Sequence, residues 1–154
     1  MRSKNILAVL VAAALVMIAV GCGGGGNKLA GKWNVTGIKN MPPGATTTMN
    51  FDSGDKMDMV MEMTNPAGAG KIKITVMTTY TLSGDTMTIK ANDAKFEFPG
   101  VEENVKKMME QGMEGAKAKM LEDIGKGSGK LKWEGDNKVT ITGTDGTATL
   151  ERAK

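Results

Sequence analysis

An alternation of apolar and polar residues, which begins near Ala30 and continues along most of the chain, constrains the fold more than any other feature. In residues 57–63, methionine occupies every second position, and Asp58, Val60 and Glu62 lie between the methionines. A period of two places successive side chains on opposite faces of an extended chain, which is typical of strands with one buried face. Turn sequences rich in glycine, asparagine and aspartate separate the alternating segments, as they do in β-hairpins.

On this basis we predict eight or nine short antiparallel strands. Their approximate bounds are residues 31–38, 46–52, 55–64, 71–82, 86–91, 95–98 (a short additional strand), 130–134, 138–144 and 147–152. Each strand of the two groups follows its predecessor through a short turn, which indicates an up-and-down meander. Closure of the meander into a barrel would remove its unpaired edges.

Residues 101–124, between the two groups of strands, have the period of a helix. Apolar residues recur there at steps of three or four, which places them on one helix face. They are Val105, Met109, Met113, Ala116, Met120 and Ile124. The predicted fold is therefore mostly β: an antiparallel meander that closes into an eight- or nine-stranded barrel, with one inserted amphipathic helix that packs on the sheet.

Composition excludes several classes of function. The chain has no histidine and one cysteine, Cys22, which excludes Ser-His-Asp triads, histidine zinc sites and the usual general base at neutral pH. Residues 22–154 hold 18 basic side chains (20 minus Arg2 and Lys4) and 17 acidic ones, a net charge of +1. Such a chain lacks the basic surface of a nucleic-acid-binding protein. We expect a non-catalytic protein with no cofactor, no metal site and no nucleic-acid partner.

The first 22 residues have the organisation of an export signal. Arg2 and Lys4 give a charged start, residues 6–20 form an uncharged apolar run, and small residues precede Cys22. A charged start, an apolar run and a small-residue cleavage site describe a secretory signal. Because it ends on cysteine, the segment resembles a bacterial lipoprotein signal. That resemblance implies that the Cys22 thiol receives a diacylglycerol, that the signal is cut after Gly21, and that the new amino terminus is acylated.

The same resemblance sets the domain bounds and the location. It implies a signal peptide at 1–21, a lipidated cysteine with a Gly-rich tether at 22–28, and a barrel domain at 29–154. The protein would be exported and held at the membrane of the cell envelope by its acylated cysteine. Gly23 at the next position implies sorting to the outer membrane where the host has one, and otherwise to the outer face of the plasma membrane.

The barrel domain also carries a family pattern. Gly31-Lys32-Trp33 resembles the Gly-X-Trp of the first strand in lipocalins, and Arg152 on the last predicted strand is the sole arginine after residue 22. The resemblance implies a lipocalin-like barrel in which Trp33 lies at the closed end and Arg152 packs across it. The inserted helix precedes the last three strands, which departs from the family, where the helix follows the barrel.

A lipocalin-like barrel implies burial of a small apolar ligand, or of another envelope component, with no chemistry done on it. Because Trp33 and Arg152 would seal one end, we expect the ligand site at the other end, near the helix. The predicted wall of this site consists of Met59, Met61, Ile74, Val76 and Trp133. Its predicted lid consists of Met109, Met113 and Met120.

Two other functions stay open at this stage. A barrel whose interior is solid would be a structural or protein-interaction module. The methionine column of residues 57–63 could instead handle copper(I) or silver(I), since thioethers are soft ligands. Methionine also fills irregular cores, and same-face neighbours on one strand are about 7 Å apart. Two of them would therefore need a third donor from another strand to enclose an ion.

Overall fold

The computed structural model of the protein describes residues 28–39, 41–66, 68–125, 127–144 and 146–154. The predicted signal peptide, Cys22 and all of the predicted tether except Lys28 lie outside the described residues. In chain order the elements are β1 (Gly31–Thr36), β2 (Thr46–Phe51), β3 (Lys56–Thr64), β4 (Lys71–Ser83), β5 (Thr86–Glu97), α1 (Glu103–Ile124), β6 (Ser128–Trp133), β7 (Lys138–Gly143) and β8 (Gly146–Arg152).

The eight strands form a closed antiparallel barrel, which confirms the predicted meander. Each strand pairs with its neighbour in sequence, and β1 closes the ring by pairing with β8. The inserted helix is also present, between β5 and β6. Closure gives every strand two neighbours over at least part of its length, so the barrel has no edge strand that is unpaired throughout.

β5 is longer than the sequence predicts, because a bulge conceals its continuation. Ala91 pairs with Thr78, and Asp93 pairs with Met77. Asn92 is therefore an extra residue between two regular pairs, and such a residue exchanges the faces to which later side chains point. The alternation resumes after the bulge with opposite parity. The short strand predicted there is the second half of β5.

The barrel has two different ends. We define the closed end as the end at which β1 begins and β8 finishes, and the open end as the end at which the chain leaves β5 for α1. Inward-facing side chains form one core cluster in the half of the barrel nearer the closed end. Its buried members are Leu29, Trp33, Val35, Met49, Phe51, Met57, Tyr80, Met87, Leu131, Val139 and Leu150.

Arg152 joins the last strand to the first at the closed end. It pairs with Trp33 across the β8–β1 ladder, and its guanidinium carbon lies 4.3 Å from the centroid of the Trp33 ring. The guanidinium donates hydrogen bonds to the carbonyl oxygens of Ala30 (2.7 Å) and Lys28 (2.9 Å). One side chain therefore holds the segment before β1 across the end of the barrel.

That segment fills the closed end. The Leu29 side chain is fully buried, and its carbonyl oxygen accepts a hydrogen bond from Trp33 Nε1 at 2.6 Å. Gly31 has a φ of 116°, and a Cβ at this position would lie 2.9 Å from an Arg152 guanidinium nitrogen. The backbone conformation favours glycine, and a larger residue would also displace the Arg152 guanidinium from its place over Trp33. Gly31, Trp33 and Arg152 thus form a single packing unit.

α1 lies along β5, and none of its residues is buried. The predicted apolar face is half-buried except at Ala116, which is exposed. Lys117 lies on this face instead, and its Nζ is 2.7 Å from the Asp93 carboxylate of β5. The expectation of a fully apolar packing face is therefore wrong at Ala116, because an ion pair to the bulged strand takes that place. Within the described residues, no helix is long and apolar enough to cross a membrane.

We predict that Arg152→Ala lowers the free energy of unfolding by about 2–4 kcal/mol. The substitution removes two hydrogen bonds from a charged donor, each typically about 1.5–3 kcal/mol net, and a cation–π contact of about 0.5–2 kcal/mol. Water that reaches the two freed carbonyl oxygens at the end of the barrel recovers part of this sum. Equilibrium unfolding in urea measures the change. Lys130→Ala, which truncates an exposed cation on β6, is the control and should change stability by less than about 0.5 kcal/mol. Equal effects of the two substitutions would show that Arg152 does not hold the closed end.

Candidate ligand-binding site

A cavity of about 560 Å³ lies at the open end, between the end of β1, the start of β6 and the β7–β8 turn. We call it the mouth cavity. The side chains that give it its chemistry are Ile38, Lys39, Ser128, Ile141, Thr147 and Ala148, and backbone at several glycines completes its wall. Glycine at the ends of β7 and β8 leaves this space free of side chains.

The floor of the mouth cavity is the upper surface of the core. Ile38, Ile141 and Ala148 are half-buried and pack against the core cluster. Ile141 and Ala148 pair across the β7–β8 ladder, so both point inward at the same height. The rim is polar, since backbone at the strand ends and the exposed residues Lys39 and Thr144 line it, whereas the Thr147 hydroxyl lies 3.4 Å from that of Thr142 on the outer face. An apolar floor below a polar rim suits a molecule with an apolar body and a polar head.

The predicted wall residues on β3 and β4 face the barrel interior but do not line the mouth cavity. Met61 pairs with Ile74, and Met59 pairs with Val76. Val76 is buried, whereas the other three side chains are half-buried. These residues therefore form the opposite inner wall of the barrel.

Trp133 lies at the closed end and not beside a cavity at the open end. Its ring is 6.1 Å from that of Trp33 in an edge-to-face arrangement, and Lys28 Nζ lies 4.4 Å from its centroid. Trp133 is therefore not at the open end, where the sequence analysis expects the ligand site. Trp133 is the last residue of β6, and β6 runs toward the closed end.

The predicted lid residues are half-buried on α1. Met109, Met113 and Met120 all belong to the face that includes the ion pair to β5. The mouth cavity is bounded instead by β1, β6, β7 and β8, and none of the three methionines lines it. In this structure α1 therefore does not form a lid over the mouth cavity.

The methionine column on β3 is part of the barrel interior. Met57 is buried in the core cluster, and Met59 packs against that cluster. Across the β2–β3 ladder, Met57 faces Phe51 and Met59 faces Met49. These neighbours are apolar side chains of similar length, which is the environment of a packed core. Copper(I) handling by the column stays a prediction that only a binding experiment addresses.

A second, larger groove of about 790 Å³ runs between β5 and α1, and the Phe96 side chain is among its lining residues. Its main feature is the Asp93 carboxylate, which accepts hydrogen bonds from Lys117 Nζ at 2.7 Å and from the Ala94 N–H at 2.8 Å. The Lys117 hydrogen bond, helped by the Ala94 N–H, lowers the pKa of Asp93, and the same bond raises the pKa of Lys117. Because the pKa of Asp93 is lowered in the folded protein, the Asp93–Lys117 pair stabilises the fold at pH values above the ordinary carboxyl range. That contribution is lost as the pH falls through the lowered pKa.

Near the closed end a phenol is buried beside two carboxylates. Tyr80 Oη donates a hydrogen bond to the Gly54 carbonyl oxygen at 2.9 Å, and its ring packs edge-to-face on Phe51 at 5.2 Å. Burial, followed by the charges of Asp52 and Asp55, raises the pKa of Tyr80. The phenol therefore stays protonated and serves as a structural donor.

Comparison with known proteins identifies no family for this chain. No protein-family model matches the chain, and no curated protein matches it. Among the described residues, no group of three or more histidine, cysteine, aspartate or glutamate side chains is placed to hold a metal ion.

We predict that Met59→Leu costs less than about 1.5 kcal/mol of unfolding free energy, as volume-conserving core substitutions do. Met57→Ala should cost about 2–5 kcal/mol, because it removes buried atoms and leaves a cavity. Urea unfolding gives both values, and a copper(I) titration of the same proteins completes the experiment. Tight copper(I) binding by the wild type that is lost in Met59→Leu, with stability unchanged, would instead favour metal handling.

Proposed function

We propose that the protein is a lipid-anchored envelope lipoprotein whose lipocalin-like barrel binds a small apolar or amphipathic ligand in the mouth cavity, without catalysis. The observation that carries the proposal is the division of the barrel into a solid closed end and a cavity at the open end. A cavity of about 560 Å³ lies within the range of about 300–1,000 Å³ that is usual for small-molecule sites. Its apolar floor would take the body of the ligand.

The polar rim supports the same class of ligand. Lys39 stands at the entrance, and Ile38 and Ile141 lie below it. A ligand with an acyl or alkyl body and a polar or anionic head would satisfy both layers. A nearly neutral protein without histidine offers little for acid–base chemistry, so binding alone is proposed.

A second candidate function has one observation in its favour. The core cluster fills the half of the barrel nearer the closed end with fully buried side chains, among them Trp33, Phe51 and Met57. A barrel built mainly for rigidity would have such an interior, and its outer surface would then carry the function as a structural or protein-interaction module.

The lipid anchor depends on Cys22, and its replacement tests it. We expect the wild type to partition into detergent and to yield an amino-terminal peptide that begins at Cys22 and carries acyl chains, since two or three chains give stable anchoring. Cys22→Ser should keep residues 1–21 and carry no lipid. Ser3→Ala, a change in the charged start of the signal, is the control and should be processed as the wild type is. Recovery of a soluble, unacylated wild type would refute the anchor.

The ligand proposal is tested by filling the mouth cavity. Ala148→Phe places a ring on its floor, whereas Thr149→Phe, the matched control, places one on the outer face of the same strand. Each full-length protein is extracted in mild detergent, and the lipophilic molecules that remain bound after purification are quantified by mass spectrometry per mole of protein.

We expect bound material in the wild type and in Thr149→Phe, and at least tenfold less in Ala148→Phe, with all three proteins unfolding at similar temperatures. Absence of bound material from the wild type, or equal amounts in the two variants, would contradict the ligand proposal. Either result would leave the interaction module as the better interpretation.

A further inference from the structure

The described chain begins at the closed end, and this position has a consequence for the anchored protein. Lys28 is fixed there by three contacts: its carbonyl oxygen accepts a hydrogen bond from Arg152 at 2.9 Å, its Nζ lies 3.3 Å from Asp136, and the same Nζ lies over the ring of Trp133. The chain that leads to Cys22 therefore leaves the barrel at the closed end. The mouth cavity lies at the other end.

The length of chain between Cys22 and Lys28 limits how the barrel sits on a membrane. These six steps span at most about 22 Å when fully extended. A Gly-rich chain of this length has an r.m.s. end-to-end distance of about 13 Å. The closed end can therefore be no farther than this from the lipid that carries Cys22.

The barrel is longer than that reach. β4 has 13 residues, which extend about 40 Å along the strand and about 30 Å along the barrel axis at the tilt usual for closed barrels. If the barrel stood upright with its open end on the bilayer, the long strands β4 and β5 would hold Lys28 about 30 Å from the headgroups. Even a fully extended connection would not cover that distance, so an upright barrel with its open end on the bilayer is excluded for a lipidated chain.

We propose that the closed end is the membrane-facing surface of the anchored protein, and that the mouth cavity faces away from the anchoring bilayer and receives its ligand from the aqueous side. This inference rests on the proposed lipidation of Cys22. It identifies the lipid surface as the partner of the closed end, and it separates the ligand site from the lipids of the protein's own membrane.

The charges of the closed end indicate that it faces the bilayer without inserting into it. Its hairpin turns carry exposed carboxylates. They are Asp52, Asp55, Asp85, Glu134 and Asp136. Asp136 pairs with Lys28, and Glu134 pairs with Lys138. Charged side chains of either sign are costly to place in hydrocarbon. We therefore expect the emission of Trp133, which is half-buried among these turns, to be unchanged when the lipidated protein is incorporated into vesicles.

Energy transfer from the protein to the lipids tests the orientation. Because Cys22 is the sole cysteine and is consumed by lipidation, an introduced cysteine supplies a unique thiol for a donor dye. Ser83→Cys places the dye in an exposed turn at the closed end, and Thr144→Cys places it in an exposed turn at the open end. Full-length lipidated protein is incorporated into phosphatidylcholine vesicles that contain an acceptor-labelled headgroup lipid.

We expect transfer to be at least twofold more efficient from Ser83→Cys than from Thr144→Cys. Insertion of twenty Gly/Ser residues after Gly26 should reduce this difference toward zero, because the longer connection removes the constraint. Equal transfer with the native connection, or higher transfer from Thr144→Cys, would overturn the inference. If neither protein carries acyl chains or floats with the vesicles, the proposed anchor is wrong, and the proposed orientation is wrong with it. This result differs from a lipidated protein in which Thr144→Cys gives the higher transfer efficiency, which would contradict the orientation alone.

Discussion

The contact between Arg152 and Trp33 is the interaction on which the rest of the structure depends. It lies at the seam where the last strand meets the first, and it also holds the segment before β1 through two backbone carbonyls. With no disulfide available to join the chain ends, this side chain links the beginning and the end of the described domain. The solid closed end and the position of Lys28, where the described chain begins, both follow from it.

The open end exists because the strands have unequal lengths. β4 and β5 have 13 and 12 residues, whereas β6 and β7 have six each. The short strands stop before the long ones do, which leaves a recess above the core where Ile141 and Ala148 form a floor. α1 lies along the upper half of β5, where β6 no longer pairs with that strand. The helix thus covers an exposed strand edge, and the mouth cavity begins just beyond its last residue, at the start of β6.

The sequence predicts the fold well because strand alternation and hairpin turns are local signals. It predicts the closure for the same reason, since a meander of consecutive hairpins has two free edges to join. It fails where the information is not local. Alternation tells which side chains face inward but not their height in the barrel, so it leads us to expect Trp133 at the open end, whereas its ring lies 6.1 Å from that of Trp33 at the closed end. The bulge at Asn92 reverses the alternation within β5, and the ion pair that follows it explains why Lys117, and not Ala116, faces the strand.

The sequence does not predict the mouth cavity, for a related physical reason. Its floor residues are ordinary inward positions, and its size comes from glycine and from strand ends, which have no hydrophobic signal of their own. The methionine column is unusual in composition, yet Met57 and Met59 are packed against the core. In a barrel of this kind, side chains that fill the interior cannot also define an empty space. The proposed ligand site therefore lies where side chains are small and strands end early, at the rim formed by β1, β6, β7 and β8.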